Sequence, residues 1–445
     1  MPVTIDTVQE ARNLLTSLFG KALEAVRGDH LVECLGPPTE TGWFIRKDGQ
    51  AIDWPIDPRG RLIVIGAGKA AAAMAQGIET LFGDRIDDGC IIVKRDHRGP
   101  LRRIRQLEAG HPLPDEAGVA ATAELLRAVN GLTRRDSVIV LLSGGASALL
   151  VAPAPGITLS EKSATTDLLL RSGASIEEIN CVRKRLSRVK GGLLLDHIAP
   201  AACLTLLLSD VPSGDHGSIG SGPTIRPSSG RSSSGGHDPL EIIAHYGLLD
   251  HIPSAVRALL AKPQASVPPR EGGRADVVLL GDSGSALAAV RQAARDAGLR
   301  FHVVNPNMTG HTHVQARSMA EALRRCPAAR RPALFMSAGE TTLHVTGDGK
   351  GGRNQEFALV AALALEGVGR VALLSAGTDG TDGPTDAAGA FADGSLVARA
   401  QALGLEPIKM LARNDSYTLF DRTQDLLRTG STGTNVMDLV LGIAF

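Results

Sequence analysis

Aromatic side chains are scarce, at 3% of the residues, so any core must be built from alanine, leucine, valine and isoleucine. A surplus of one charge is also missing, because 47 basic residues balance 47 acidic ones. With no basic excess to neutralise phosphates, a nucleic-acid or membrane-surface partner is disfavoured. The five cysteines, Cys34, Cys90, Cys181, Cys203 and Cys326, are odd in number and include no CxxC pair. That spacing gives neither a disulfide framework nor a zinc knuckle. No run approaches the roughly 20 apolar residues of a membrane span. Asp6, Glu10 and Arg12 stand where a signal peptide would be apolar. These absences predict a reducing, cytoplasmic setting. GxSxG and HExxH are absent too, and Ser143 has no base evident nearby, so a nucleophilic hydrolase is not expected.

What is present is length and glycine: 445 residues, enough for two to three domains, with 51 glycines that cluster. Residues 7–27 have the spacing of an amphipathic helix. Short apolar runs at 61–65, 90–93, 138–142, 204–208, 276–280, 333–336 and 371–374 read as buried strands. Helical stretches alternate with them, at 115–129, 160–172, 284–297 and 315–325. The alternation predicts an α/β fold with mainly parallel sheets. Residues 226–238 are low in complexity and read as a loop, and 262–275 read as a linker, placing the main boundary near 270.

Several strands end in small residues: Ser143-Gly144-Gly145, Ser209-Asp210, Ser337-Ala338-Gly339-Glu340 and Ser375-Ala376-Gly377-Thr378-Asp379. Ligands of open α/β sheets bind beyond the carboxyl ends of strands, and small residues let backbone N–H groups approach an anion. A tight βα turn accounts equally well for any one of these loops; the set favours a polyanion. Gly66-Ala67-Gly68-Lys69-Ala70-Ala71 fits the loose GxGxxA dinucleotide pattern but runs on to Lys94, where an NAD site wants an acid. A helix start with close-approach glycines and an ammonium suits phosphate or carboxylate. Only ten of the 47 basic residues are lysine, which favours a functional Lys69.

The basic stretch 179–192 places Arg183, Ser187 and Lys190 on one helical face, and spacing alone favours a solvated helix. Residues 347–357 deliver Arg353, Asn354, Gln355 and Glu356 to a helix start, where an Arg fork fits carboxylate or phosphate. Asp379, Asp382 and Asp386 sit in a Gly/Thr frame that suits Mg²⁺ beside phosphates, a hydrogen-bonded structural loop being the alternative. His111, before a proline, reads as structural.

These segments, with Gly-His-Pro-Leu-Pro-Asp at 110–115, Ser-Gly-Gly-Ala-Ser-Ala-Leu at 143–149, Ser-Gly-Pro-Thr at 221–224 and Thr-Gly-Thr-Asn-Val at 432–436, resemble the glycerate 2-kinase (MOFRL) family from about residue 10 to 440. The resemblance implies a Rossmann-like N-terminal α/β domain (1–270) and a smaller C-terminal MOFRL domain (271–445), with the active site in the cleft between them. It implies ATP- and Mg²⁺-dependent phosphorylation of D-glycerate to 2-phosphoglycerate, with these small molecules as partners, no nucleic acid and no membrane, and the oligomeric state open. Lys69 and Arg353 match the family's essential cations. Within that reading Asp210 is the candidate general base, and Asp379 and Asp382 are the candidate metal ligands. Gly66, Gly68, Ser143, Gly144, Gly145, Lys190 and Asn354 are the candidate nucleotide contacts. Ala146 stands where the family usually has glycine and Ser431 where it has proline, while His311-Thr312-His313 replaces the usual Gly-Glu-Ala. The alternative activity is an NAD(P)H-dependent hydroxypyruvate reductase, motivated by GxGxxA. Lys94 and the aspartate loop argue against it. A non-enzymatic sugar-acid-binding regulator is disfavoured because no DNA-reading module is apparent.

Overall fold

The computed structural model describes residues 4–211, 216–226, 238–262 and 273–445. The stretch expected to be a loop, 226–238, and the expected linker, 262–275, fall largely outside the described residues, as does Pro212. By contact the chain divides into two compact units. The first comprises residues 28–209 and 215–280, the second residues 1–27, 210–214 and 281–445.

The first unit opens with an antiparallel hairpin, β1 (Gly42–Lys47) and β2 (Gln50–Pro55). Its six-stranded sheet contains β3 (Leu62–Ala67), β4 (Asp88–Lys94), β5 (Arg105–Ala109), β6 (Ser137–Leu142), β7 (Ala202–Leu208) and β8 (Ala275–Gly281), in the order β5-β4-β3-β6-β7-β8. The β5/β4, β4/β3, β3/β6 and β6/β7 pairings are all parallel. Every residue of β3 and β6 is buried, which is why these segments are unbroken apolar runs and do not alternate.

The second unit holds β9 (Arg300–Met308), β10 (Ala333–Gly339), β11 (Val371–Gly377), β12 (Gly389–Asp393), β13 (Leu426–Leu427) and β14 (Asp438–Ala444), in the order β13-β12-β11-β14-β10-β9. Four of its six strands run the same way, but β14 and β12 are inserted against them, so β9/β10 is the one parallel pairing. The expectation of mainly parallel neighbours therefore describes the first sheet, while the second is mixed.

A single break near 270 does not describe the partition, because the N-terminal helix Val8–Ala25 belongs with the second unit. Thr7 and Glu10 form a capping box at its start, and Ala11, Leu15, Leu18, Phe19 and Ala22 are buried. That apolar face packs on β11, β14 and the helix Ser283–Asp296. Arg12 adds ion pairs to Asp393 and Asp425 at 2.6 and 2.5 Å. Among the described residues no helix is long and apolar enough to cross a membrane, and none of the five cysteines is in a disulfide.

Candidate active site

In the first unit, the turn after β3 is locked to the turn after β6. Ser143 N donates to Ala67 O at 3.2 Å, Lys69 N to Gly144 O at 2.9 Å, and Ala70 N to Ser143 Oγ at 3.0 Å. The last bond fixes the start of the helix Ala71–Phe82. Gly68, at φ +140°, is obligatory: a Cβ there would lie 2.1 Å from Ser143 Oγ. A Cβ on Gly66 would lie 2.4 Å from Leu141 O. Both glycines are thus demanded by the packing of one turn on another, and Ser143 spends its hydroxyl oxygen holding that turn. Gly145, at φ +85°, lies against Lys69 Cγ and the His111 ring, at 3.3 and 3.1–3.2 Å from its Cβ position. His111, expected to be structural, therefore stands beside Lys69.

The basic stretch is not a solvated helix. Its helix, Ile176–Arg185, ends before Ser187, so Arg183, Ser187 and Lys190 do not share a helical face. Ser187 Oγ instead accepts from Val189 N and Lys190 N, and Lys190 is 1% exposed. The reason is tertiary: Ile179 and Val182 join an apolar cluster with Leu169, Ile243 and Val256, which draws the polar residues inward with them.

In the second unit, Arg353 is the first residue of the helix Arg353–Ala364. Its Nε and Nη2 grip Asp438 at 2.6 and 3.0 Å, and Nη1 donates to Glu340 Oε1 at 2.5 Å. Burial works against the guanidinium charge, but the carboxylates of Asp438 and Glu340 outweigh it and raise its pKa. Three of the five N–H donors are used in this way, leaving two for a ligand. Asp438 opens β14 and is 1% exposed. The residue before it, Met437, has φ +70°, a conformation a bulky side chain adopts only where its surroundings enforce it. Thr378 supplies part of that enforcement, its N and Oγ1 both donating to Met437 O, at 2.9 and 2.6 Å.

Asp382 lies over the start of the same helix. Its oxygens accept from the backbone N–H groups of Asn354 and Gln355 at 3.0 and 2.9 Å, and from both side-chain amides. Gly352 makes room for it, since a Cβ there would fall 2.3–2.5 Å from the Asp382 carboxylate. The composition of the loop pointed to a metal ligand, but the fold uses both carboxylate oxygens as a helix cap. Asn354, expected near the nucleotide, accepts from Ser375 Oγ at 2.8 Å and belongs to the same buried network. Asp386 lies outside it, paired with Tyr417 and Arg428.

Burial pushes the Asp382 carboxyl up from 3.8 to about 6, against the opposing pull of the Asn354 and Gln355 N–H groups. The folded chain therefore keeps a proton that the unfolded chain has lost, and raising the pH from about 4 to 6 costs stability, by up to about 3 kcal/mol. Asp382→Asn should abolish this loss, so that its melting temperature approaches or passes that of the wild type above pH 6. Parallel pH profiles for the two proteins would refute the assignment.

Asp379 is buried in the turn after β11 and accepts from Thr381 N at 3.0 Å. The Cβ position of Gly377 lies 3.3 Å from Asp379 Oδ1 and 3.5 Å from Asp438 Oδ1, so these two carboxylates flank one glycine. Asp210, which groups with the second unit, accepts from Asn435 Nδ2 at 3.4 Å. Among the described residues no set of three or more His, Cys, Asp or Glu side chains is arranged to hold a metal by itself. Mg²⁺ needs fewer, since one or two carboxylates beside phosphates suffice. Asp379 fits that requirement, and the capping carboxylate of Asp382 does not. Asp438 was not singled out by sequence; Glu340 stood in one of the strand-end loops and Asn435 in the motif at 432–436, neither marked as a partner for Arg353 or Asp210.

The class these features define is an α/β protein with a MOFRL C-terminal portion. Residues 14–261 match the family described as a domain of unknown function (DUF4147), and residues 333–438 match the MOFRL family. The D-glycerate 2-kinase of Thermotoga maritima is 39% identical over 388 residues, 86% of this chain and 90% of that protein. A putative hydroxypyruvate reductase of Agrobacterium vitis is 40% identical over 86% of this chain and 87% of its own length. The crystal structure of glycerate kinase from Thermotoga maritima matches with a TM-score of 0.81 at 35% identity, covering 98% of this chain and all of that one. The chain belongs to the glycerate 2-kinase family.

Proposed function

We propose that this chain transfers the γ-phosphoryl group of ATP to the 2-hydroxyl of D-glycerate, giving 2-phosphoglycerate and ADP. The observation that carries the reading is the near full-length likeness to D-glycerate 2-kinase. Phosphoryl transfer is mostly positioning and charge neutralisation, and the chain's own loops are suited to both. Lys69 acts as a point cation on the transferring group, and Arg353 directs its two remaining N–H groups at the glycerate carboxylate or the phosphate. Asp210, oriented by Asn435, takes the proton of the 2-hydroxyl as that oxygen bonds to the γ-phosphorus and the bond to ADP breaks.

Asp379 is the residue that would hold Mg²⁺, whose chemistry when bound is to neutralise phosphate oxygens. Asp379→Asn is expected to raise the Mg²⁺ concentration for half-maximal rate about tenfold; an unchanged Mg²⁺ curve would make this aspartate structural. The reductase reading has less support, because Gly66 and Gly68 are accounted for by packing and Lys94 replaces the ribose-binding acid. Five free thiols favour a reducing, cytoplasmic compartment.

The test is to supply ATP, Mg²⁺ and D-glycerate and to measure ADP together with the phosphoglycerate isomer formed. The expected result is stoichiometric ADP and 2-phosphoglycerate. NADH oxidation with hydroxypyruvate, and no ADP from glycerate, would overturn the proposal.

A further inference from the structure

Among the described residues of the first unit, two buried cations and a half-buried third have no anion to match them. Lys190 is 1% exposed and Lys162 is 5% exposed. Lys162 comes from the helix Leu159–Arg171, and Arg183 from the helix Ile176–Arg185 that packs on it. The Lys190 ammonium donates to Gly220 O at 3.0 Å. Among the described residues no carboxylate lies within ion-pair reach of any of the three, and Lys162 and Arg183 have no hydrogen-bond partner there.

Burial of an unpaired cation is costly, and gathering two buried cations with a half-buried third adds mutual repulsion. Burial, the larger cause, and the neighbouring charges of Lys162 and Arg183 hold the Lys190 ammonium well below its ordinary pKa. Burial and Arg183 bring Lys162 down to about 8. A fold carries such a cluster at a loss unless something negative completes it.

The surroundings identify where that partner would enter. Lys190 bonds the first residue of a run, Gly220, Ser221 and Gly222, at φ +59°, +64° and +61°. Ser221 is fully buried despite its left-handed backbone; it donates to Asn180 Oδ1 at 3.1 Å and pairs with Ser147 at 3.2 Å. Asn180 stands three residues before Arg183 on the same helix, one turn away. Ser147 lies two residues beyond Ser143-Gly144-Gly145, and the Cβ position of Gly220 lies 3.1 Å from Ala146 Cβ. The cation cluster is thus continuous, through Ser221 and Ser147, with the glycine turn that packs on Lys69.

We propose that Lys162, Arg183 and Lys190 form a binding site for a multiply charged phosphate group, next to the glycine turn after β6. Three cations exceed what a single carboxylate neutralises, whereas a phosphoryl or diphosphate group carries two or more negative charges and offers several acceptor oxygens. The phosphate can belong to the nucleotide or to the phosphorylated hydroxy acid. The inference deepens the kinase reading and rests on it for the choice between these two sources.

The experiment compares wild type with Lys162→Met and Arg183→Met. Calorimetry in a buffer free of phosphate and sulfate gives the affinities for ADP, 2-phosphoglycerate and pyrophosphate, and melting temperatures are taken without ligand. Both substitutions remove an unpaired buried charge, so the unliganded variants should melt at or above the wild-type temperature while binding at least one of these ligands tenfold or more weakly. Loss confined to ADP places the nucleotide there; loss confined to 2-phosphoglycerate places the product phosphate. If every affinity stays within twofold, or if wild type binds none of the three, the proposal fails. A lower melting temperature with unchanged affinities also overturns it, since the cations would then be structural. ADP formation by wild type is measured separately. A wild type that turns over, with variants unchanged in binding, sinks the phosphate site alone. A wild type that does not turn over, with variants that have lost pyrophosphate, sinks the kinase reading alone.

Discussion

Lys69→Ala is expected to lower kcat about 100-fold with the melting temperature unchanged, and Arg353→Ala to lower it by a similar factor. Removing one preorganised cation from a transition state that gathers phosphate charge costs about 3 kcal/mol. Lys69 carries this effect in its simplest form, because what its main chain contributes to the turn, the bond from Lys69 N to Gly144 O, does not depend on the side chain. If both cations act on one transition state, the double variant should fall well short of the product of the single losses. Independent action would give multiplicative losses, and folded single variants near wild-type kcat would move the catalytic cations elsewhere. Kinetics of the three variants on ATP and D-glycerate decide between these outcomes.

The second large effect is on stability. Asp438→Ala should cost about 3 kcal/mol, because it leaves the Arg353 guanidinium partly buried without its bidentate partner. The figure is at the low end for a broken buried pair, since the Arg353 side chain keeps a third of its exposure and retains Glu340. For a unit of roughly 200 residues that is a fall of about 10 °C in Tm. Replacing both partners, as Arg353→Met with Asp438→Leu, should recover much of the lost stability while leaving kcat at least as low as in Arg353→Ala. An Asp438→Ala variant that melts with the wild type would show that the pair contributes nothing to the fold.

Legibility in the sequence follows burial. β3, β6 and β7 carry unbroken apolar runs because both faces of their sheet are covered, and a run of that kind is visible one residue at a time. β9, Arg300–Met308, is an edge strand with most residues exposed or half-exposed and a proline within it, so nothing in its composition marks it. β12, Gly389–Asp393, directly follows an aspartate- and glycine-rich loop and reads as its continuation. Arg353 was visible as a charged residue at a helix start. Its partners were not, because Glu340 lies 13 residues away and Asp438 85 residues away, and only the alignment of β10, β11 and β14 brings them together. Asp382 shows a limit of another kind: a carboxylate in a Gly/Thr loop looks the same whether it awaits a cation or caps a helix, and the cap depends on Gly352, thirty residues earlier, which leaves room for it. The basic stretch at 179–192 was misjudged for a related reason, since charge alone does not reveal that apolar neighbours will pull a lysine inside.

The second sheet places the last of its strands in sequence order near its middle: β14 lies between β10 and β11. The helix laid across that sheet, Val8–Ala25, precedes every one of its strands in the sequence. During synthesis the helix thus waits, apolar face uncovered, while some 250 residues that form another unit are translated and begin to fold. The second unit can close only once β14 has been made, so its assembly depends on contacts far apart in sequence. Until β14 is made the nascent chain offers chaperones an amphipathic handle in that helix, and termination before β14 removes the strand that joins the two sides of the sheet.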